Sequence, residues 1–135
     1  MTVYDILTVA RSCIDTPFKH QGRIPGLALD CAGLLIAVAQ YLGVEYIDID
    51  GYSRNPSNGL LEMALDLQPC LERVAVKQTG DVLLMRFGGD PQHLAILDGE
   101  TIIHAYSVVG KVCRHQLTEQ WARRIVRVYR FRGVV

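Results

Sequence analysis

Apolar residues recur at helical spacing at the start of the chain. Val3, Ile6, Leu7, Ala10 and Ile14 predict a helix of about three turns, stopped by Pro17. The stretch from Phe18 to Leu29, carrying Gly22, Pro25 and Gly26, reads as a loop. A second helix is expected from Cys31 to Leu42. Leu34, Leu35, Val38, Ala39 and Leu42 line its faces, and Gly43 stands where a C-terminal cap belongs. This helix is apolar almost all round, which marks it as the central buried one. Glu45 to Asn58 is polar and punctuated by Gly and Pro, hence a second loop, and Leu60 to Leu67 predicts a short third helix closed by Pro69.

Beyond Gly80 the pattern changes. Val82 to Phe87, Leu94 to Leu97 and Thr101 to Ala105 are short apolar runs, separated by Gly88-Gly89-Asp90-Pro91 and Asp98-Gly99. An Asp-Gly pair between two such runs is a strong hairpin signal. Val108 to His115 reads as a further strand, Thr118 to Ala122 as a single helical turn capped by Thr118, and Ile125 to Phe131 as a final strand. Helices first and an antiparallel sheet afterwards imply an α+β fold. The 135 residues fit a single domain spanning 1–135.

Half the residues are hydrophobic, so a core can be buried, and the formal net charge is zero. Without a global basic field, nucleic acid is not an expected partner. No apolar run approaches the roughly 18 residues of a membrane span. The N-terminal MTVYDILTVARSCID lacks the basic start and small-residue cleavage site of a secretion signal. The four cysteines, at 13, 31, 70 and 113, form no CxxC pair. Cys13 and Cys70 read as buried reduced thiols.

Cys31 differs, because it stands where a loop becomes the N-terminus of a buried helix. Unpaired amides and the macrodipole favour an anion there, so the thiol should ionise more readily than usual. Small Ala32 and Gly33 would leave room for a substrate. His93 begins an apolar strand after a turn, and His104 lies across the Asp98-Gly99 hairpin from it. One hairpin can therefore present two imidazoles together. A base held by a third group that fixes its tautomer is the general triad arrangement.

The Leu29-Asp30-Cys31-Ala32-Gly33-Leu34 helix start, the Gly80-Asp81-Val82 strand start, and His93-Leu94-Ala95-Ile96 followed by Ile103-His104-Ala105 together resemble the NlpC family of papain-like cell-wall cysteine peptidases. The resemblance runs from Thr16 to Tyr106. Thr16-Pro17-Phe18-Lys19-His20-Gln21-Gly22-Arg23 further resembles the subgroup encoded with bacteriophage tail genes. The resemblance implies a papain-like fold with Cys31 as nucleophile, His93 as base and His104 as the residue that orients His93. It implies cleavage of peptidoglycan stem peptides, typically between γ-D-glutamate and diaminopimelate, through an acyl-enzyme, with no metal or other cofactor. Synthesis in the bacterial cytoplasm without a signal peptide, partnership with phage tail proteins and action from a virion tail follow from the subgroup. Alternatives of other classes are an amidase or acyltransferase of the same fold and a structural phage tail-tip component in which hydrolase activity is secondary.

This chain departs from the family at two positions. Many members carry Tyr where Phe18 stands, and many read Asp-Cys-Ser-Gly where Ala32 replaces the Ser. In those members the Asp and Ser help bind a free substrate amine. Asp30 is thus either a substrate ligand or simply the helix cap. His20 could supply a polar group beside Phe18, and Arg23 and Arg54 are candidate ligands for substrate carboxylates. Cys31, His93, His104 and Cys113 are zinc-ligand types, but without the close paired spacing of a zinc site. Arg123, Arg124, Arg127, Arg130 and Arg132 read as a solvated edge strand. His115 has no evident partner and is expected at the surface.

Overall fold

The computed structural model describes residues 1–49, 51–53, 56 and 58–135. Helix α1 (Val3–Ser12) starts in a capping box: the Thr2 side chain accepts from the Asp5 amide, and the Asp5 carboxylate accepts from the Thr2 amide. The loop that follows contains a small ribbon, β1 (Arg23–Ile24) and β2 (Ala28–Leu29), where the sequence shows only turn residues. Helix α2 (Cys31–Leu42) has the expected bounds. Asp30 caps its start by accepting from the Gly33 amide, and Gly43 ends it at φ 68°, in the left-handed region glycine favours. Residues Ala32 to Ala39 of α2 are all buried, as its all-round apolar pattern requires. Helix α3 (Leu60–Asp66) comes next.

Strands β3 (Leu71–Val74), β4 (Val82–Phe87), β5 (Asp90–Asp98), β6 (Thr101–Tyr106), β7 (Lys111–Gln116) and β8 (Ile125–Phe131) form one antiparallel sheet in the order β3-β8-β4-β5-β6-β7. The short helix α4 (Glu119–Ala122), capped by Thr118, links the last two strands. β3 is absent from the sequence expectation because Glu72 and Arg73 interrupt its apolar run on an exposed edge.

Alternation along the strands gives the sheet two apolar faces. Val82, Leu84, Leu94, Ile96, Ile103, Ala105 and Val112 share the main core with α1 and α2. Leu83, Met85, Ala95, Leu97 and Ile102 form a second, smaller core beneath Leu117, Trp121, Ile125 and Val128. Cys13 and Cys70 are buried and all four cysteines are free, as the sequence suggests.

The expectation of an arginine-rich edge strand is overturned. β8 lies inside the sheet, between β3 and β4. Its arginines and their neighbours have defined partners: Arg130 forks onto Asp81 at 2.9 Å, Arg127 meets Glu62, Arg132 meets Glu72, and Arg124 stacks on Phe87 and Trp121. No helix among the described residues is long and apolar enough to cross a membrane.

Candidate active site

The N-terminus of α2 meets the sheet where β5 begins and β4 and β6 end. A cleft opens at this junction. Cys31 and Ala32 line it from the helix, Phe87, Gln92, His93 and Tyr106 from the sheet, and Phe18, His20, Ile49, Tyr52 and Pro56 from the two loops. The loop leaving the far end of α2 thus returns as a wall of the cleft. Arg54 lies outside the described residues.

The helix start is held by a buried polar cluster. Asp30 is 3% exposed and uses both carboxylate oxygens. Oδ1 accepts from the Gly33 amide at 2.8 Å and from Arg23 at 2.9 Å, while Oδ2 accepts from the Gln21 amide at 2.8 Å and from the Tyr52 hydroxyl. Burial first, then the hydrogen bond to Asp30, raises the Tyr52 hydroxyl pKa, so Tyr52 stays a donor. Arg23 spends all five of its N–H groups inside the chain: on Asp48 Oδ1, the Gly22 and Ile49 carbonyls, Asp30 and Tyr52. In this arrangement Arg23 has no donor left for a substrate carboxylate. It orients Asp30 and ties the two loops together instead. His20 Nε2 is bonded to the Tyr52 carbonyl at 3.0 Å, and its ring stands edge-on to Tyr52.

Gly33 does not leave room for substrate, as its size first suggests. A β-carbon there would lie 2.1 Å from the Gly22 carbonyl oxygen, so its smallness lets the β1–β2 ribbon close onto the helix. Ala32 does face the cleft.

The Cys31 thiol rests against the backbone of Leu94, the residue after His93. Burial, and then the Asp30 charge, push its pKa up to about 12, against the opposing pull of the Leu94 and Ala32 amides. The two amides pull in the direction expected of a helix terminus, and burial opposes them. His93 is 5% exposed. Burial first, then His104, holds its imidazole well below its ordinary pKa, so it is neutral. Cys31 and His93 line the same cleft, and burial disfavours the charged form of each.

His93 Nε2 lies 2.6 Å from His104 Nδ1. That contact occupies Nε2 of His93. His104 is fully buried, and burial followed by His115 draws its pKa down to about 4. His115 is not the isolated surface residue the sequence suggests. Its Nε2 lies 2.8 Å from His104 Nε2, and its Nδ1 lies 2.9 Å from the Gln116 carbonyl. Phe87, Tyr106 and Trp121 box these rings in: Phe87 stacks on His93 at 5.0 Å, Tyr106 on His104 at 5.1 Å, and Trp121 stands 5.2 Å from His104 and 5.0 Å from His115. The signal for His115 lay in register. His104 pairs with Cys113 across β6–β7, so His115, two residues on, shares its face. One nitrogen each of His104 and His115 and the Cys113 sulfur lie within 4.8 Å of one another, donor types suited to zinc.

No family profile matches the chain, and no curated protein matches it by sequence. Solved structures do match. The NlpC/p60 domain of the peptidoglycan hydrolase SagA is 25% identical with a TM-score of 0.65, and the match covers 95% of this chain and 97% of that one. An NlpC/p60 family protein from Bacillus cereus is 17% identical with a TM-score of 0.69, over 97% of this chain. The peptidoglycan hydrolase RipB from Mycobacterium tuberculosis is 18% identical with a TM-score of 0.63, over 95% of this chain. The match spans 40% of the Bacillus protein and 63% of RipB. The chain has the NlpC/p60 fold.

Proposed function

We propose that this NlpC/p60-fold chain is a cysteine peptidase of the bacterial cell wall, with Cys31 as nucleophile, His93 as general base and His104 as the residue that orients it. The observation that carries the reading is the 2.6 Å bond from His93 Nε2 to His104 Nδ1 at the edge of the cleft that also holds Cys31. A base needs one nitrogen fixed and the other free, and the bond provides both.

The reaction starts from a neutral thiol and a neutral imidazole. As the thiol attacks the scissile carbonyl, its proton passes to His93 Nδ1, so the thiolate never has to persist in its enclosed site. The Cys31 amide is the first of helix α2 and has no acceptor within the helix, which leaves it to stabilise the oxyanion. His93 then protonates the leaving amine, and water releases the acyl group.

The substrate in this reading is a peptidoglycan stem peptide, cut between γ-D-glutamate and diaminopimelate. Similarity to peptidoglycan hydrolases such as SagA and RipB supports the substrate class. Delivery by a phage tail rests on the Thr16 to Arg23 segment alone. Phe18, His20, Asp30 and Tyr52 bound the cleft beside the thiol, with Asp30 acting through the helix start. Digestion of purified sacculi followed by mass spectrometry of the muropeptides tests this function. The expected result is cleavage at the γ-D-glutamyl bond by the wild type and none by Cys31→Ala or His93→Ala. Intact stem peptides after prolonged wild-type digestion would overturn it.

A further inference from the structure

The imidazole line does not end at His104. His93, His104 and His115 form two successive ring-to-ring contacts, at 2.6 and 2.8 Å, and the line stops at the Gln116 carbonyl, 2.9 Å from His115 Nδ1. A carbonyl oxygen can only accept a hydrogen bond. That single constraint fixes every proton in the line. His115 carries its proton on Nδ1 and, when neutral, accepts at Nε2. His104 therefore donates from Nε2 and accepts at Nδ1. His93 in turn donates from Nε2, and its lone pair is left on Nδ1. A neutral imidazole has one donor and one acceptor nitrogen, so no other set of neutral tautomers satisfies all three contacts.

We propose that His115 is a positioning residue that sets the tautomer of the catalytic base from two rings away, by reading the Gln116 carbonyl and passing its polarity through His104. This rests on the function proposed above. No proton travels along the line during turnover: His93 takes the thiol proton at Nδ1 and returns it to the leaving amine, while the Nε2–H bond to His104 stays in place. Trp121 packs against His104 and His115 and holds the rings edge to edge.

The same atoms raise the question of a metal, with Cys113 as third ligand. The 2.8 Å separation of the two Nε2 atoms is the spacing of the hydrogen-bonded line, and the two arrangements exclude each other at His104 Nε2. Two imidazoles on one tetrahedral zinc, each at about 2.0–2.1 Å, would stand roughly 3.3–3.4 Å apart. The observed spacing is that of a hydrogen bond.

The test uses substitutions that differ in polarity. His115→Gln keeps an acceptor for His104 Nε2–H, whereas His115→Lys offers only donors. Against lysine the line must invert. His104 then carries its proton on Nδ1, and His93 is forced to carry its own on Nδ1, facing the cleft with no lone pair for the thiol. The expected result is near-wild-type kcat for His115→Gln and a loss of roughly 100-fold or more for His115→Lys, with KM unchanged in both, because a wrong tautomer disables the base without touching substrate. Long-range proton–nitrogen NMR of the ring nitrogens reads the tautomers without substrate. It should place the His93 proton on Nε2 in the wild type and His115→Gln, and on Nδ1 in His115→Lys. A folded His115→Lys with wild-type kcat, or a wild-type His93 protonated on Nδ1, would overturn the proposal. So would a wild-type activity that requires Zn²⁺ and is abolished by a chelator. The NMR readout stands even if the protein cuts no stem peptide, which separates failure of the relay from failure of the proposed function.

Discussion

Gly33, in the first turn of α2, faces Gly22 so closely that a β-carbon would sit 2.1 Å from the Gly22 carbonyl oxygen. The contact is between backbones, and neither side can yield by changing a rotamer. Gly33→Ala should therefore push the β1–β2 ribbon off the helix start and lower stability by about 1–3 kcal/mol. The same shift would pull Arg23 and Gln21 away from Asp30. Urea unfolding measures the first effect, and a fall in kcat beyond the loss of folded protein measures the second.

Arg23 and Asp30 form a mostly buried pair at 2.9 Å, with side chains 19% and 5% exposed. Breaking such a pair strands a charge, at a cost of about 3–5 kcal/mol. Arg23→Ala should thus lower the midpoint of denaturation, in contrast to a pure rise in KM for a substrate ligand. A stable variant with raised KM and unchanged kcat would restore Arg23 to the substrate site.

The raised pKa of the Cys31 thiol has a chemical consequence. Burial and Asp30 hold Cys31 up near 12, so brief iodoacetamide treatment at neutral pH should label it slowly. Labelling that does occur should depend on His93 taking the proton, and His93→Ala should slow it further. Peptide mapping gives both rates. Fast labelling of Cys31 at neutral pH, equal in wild type and His93→Ala, would indicate a preformed thiolate.

His104 gives the fold a pH dependence of known sign. In the unfolded chain its imidazole takes up a proton below about 6.5, whereas the folded residue resists until about 4. The unfolded state therefore binds more protons between those values. Stability should be full above about 6.5 and fall as pH drops toward 4, by on the order of 2–3 kcal/mol from this group. Urea midpoints at several pH values check the slope, and His104→Gln should reduce it, with the buried His93 supplying the remainder in the same direction. An unchanged slope in that variant would assign the dependence elsewhere.

Much of this arrangement is legible in the amino-acid order. The Cys31–Leu42 helix is framed by its own caps, Asp30 and Gly43, and the Asp98-Gly99 turn fixes the hairpin that carries His93 and His104. These are local signals with periods of 3.6 and 2. What escaped depends on pairing between distant segments. β3 is a strand only because β8 accepts it at the edge, through two exposed charged residues that hide its pattern. His115 looked solitary because its partner lies on the neighbouring strand, and the register that aligns them is a tertiary fact. Arg23 looked like a free loop cation because its five acceptors come from three separate stretches of chain. The burial that opposes ionisation of the Cys31 thiol likewise cannot be seen in a helix start.

The central claim is that the Cys31 sulfur forms a covalent acyl-enzyme with His93 as its base. Acid quenching during the first turnovers on a defined stem peptide, followed by intact mass measurement and peptide mapping, tests it most directly. The predicted result is an adduct with the mass of the acyl fragment on the peptide containing Cys31, accumulating in the wild type and absent from His93→Ala. Turnover that persists in Cys31→Ala, or wild-type cleavage with no adduct at any quench time and an acyl group found on another residue, would contradict it.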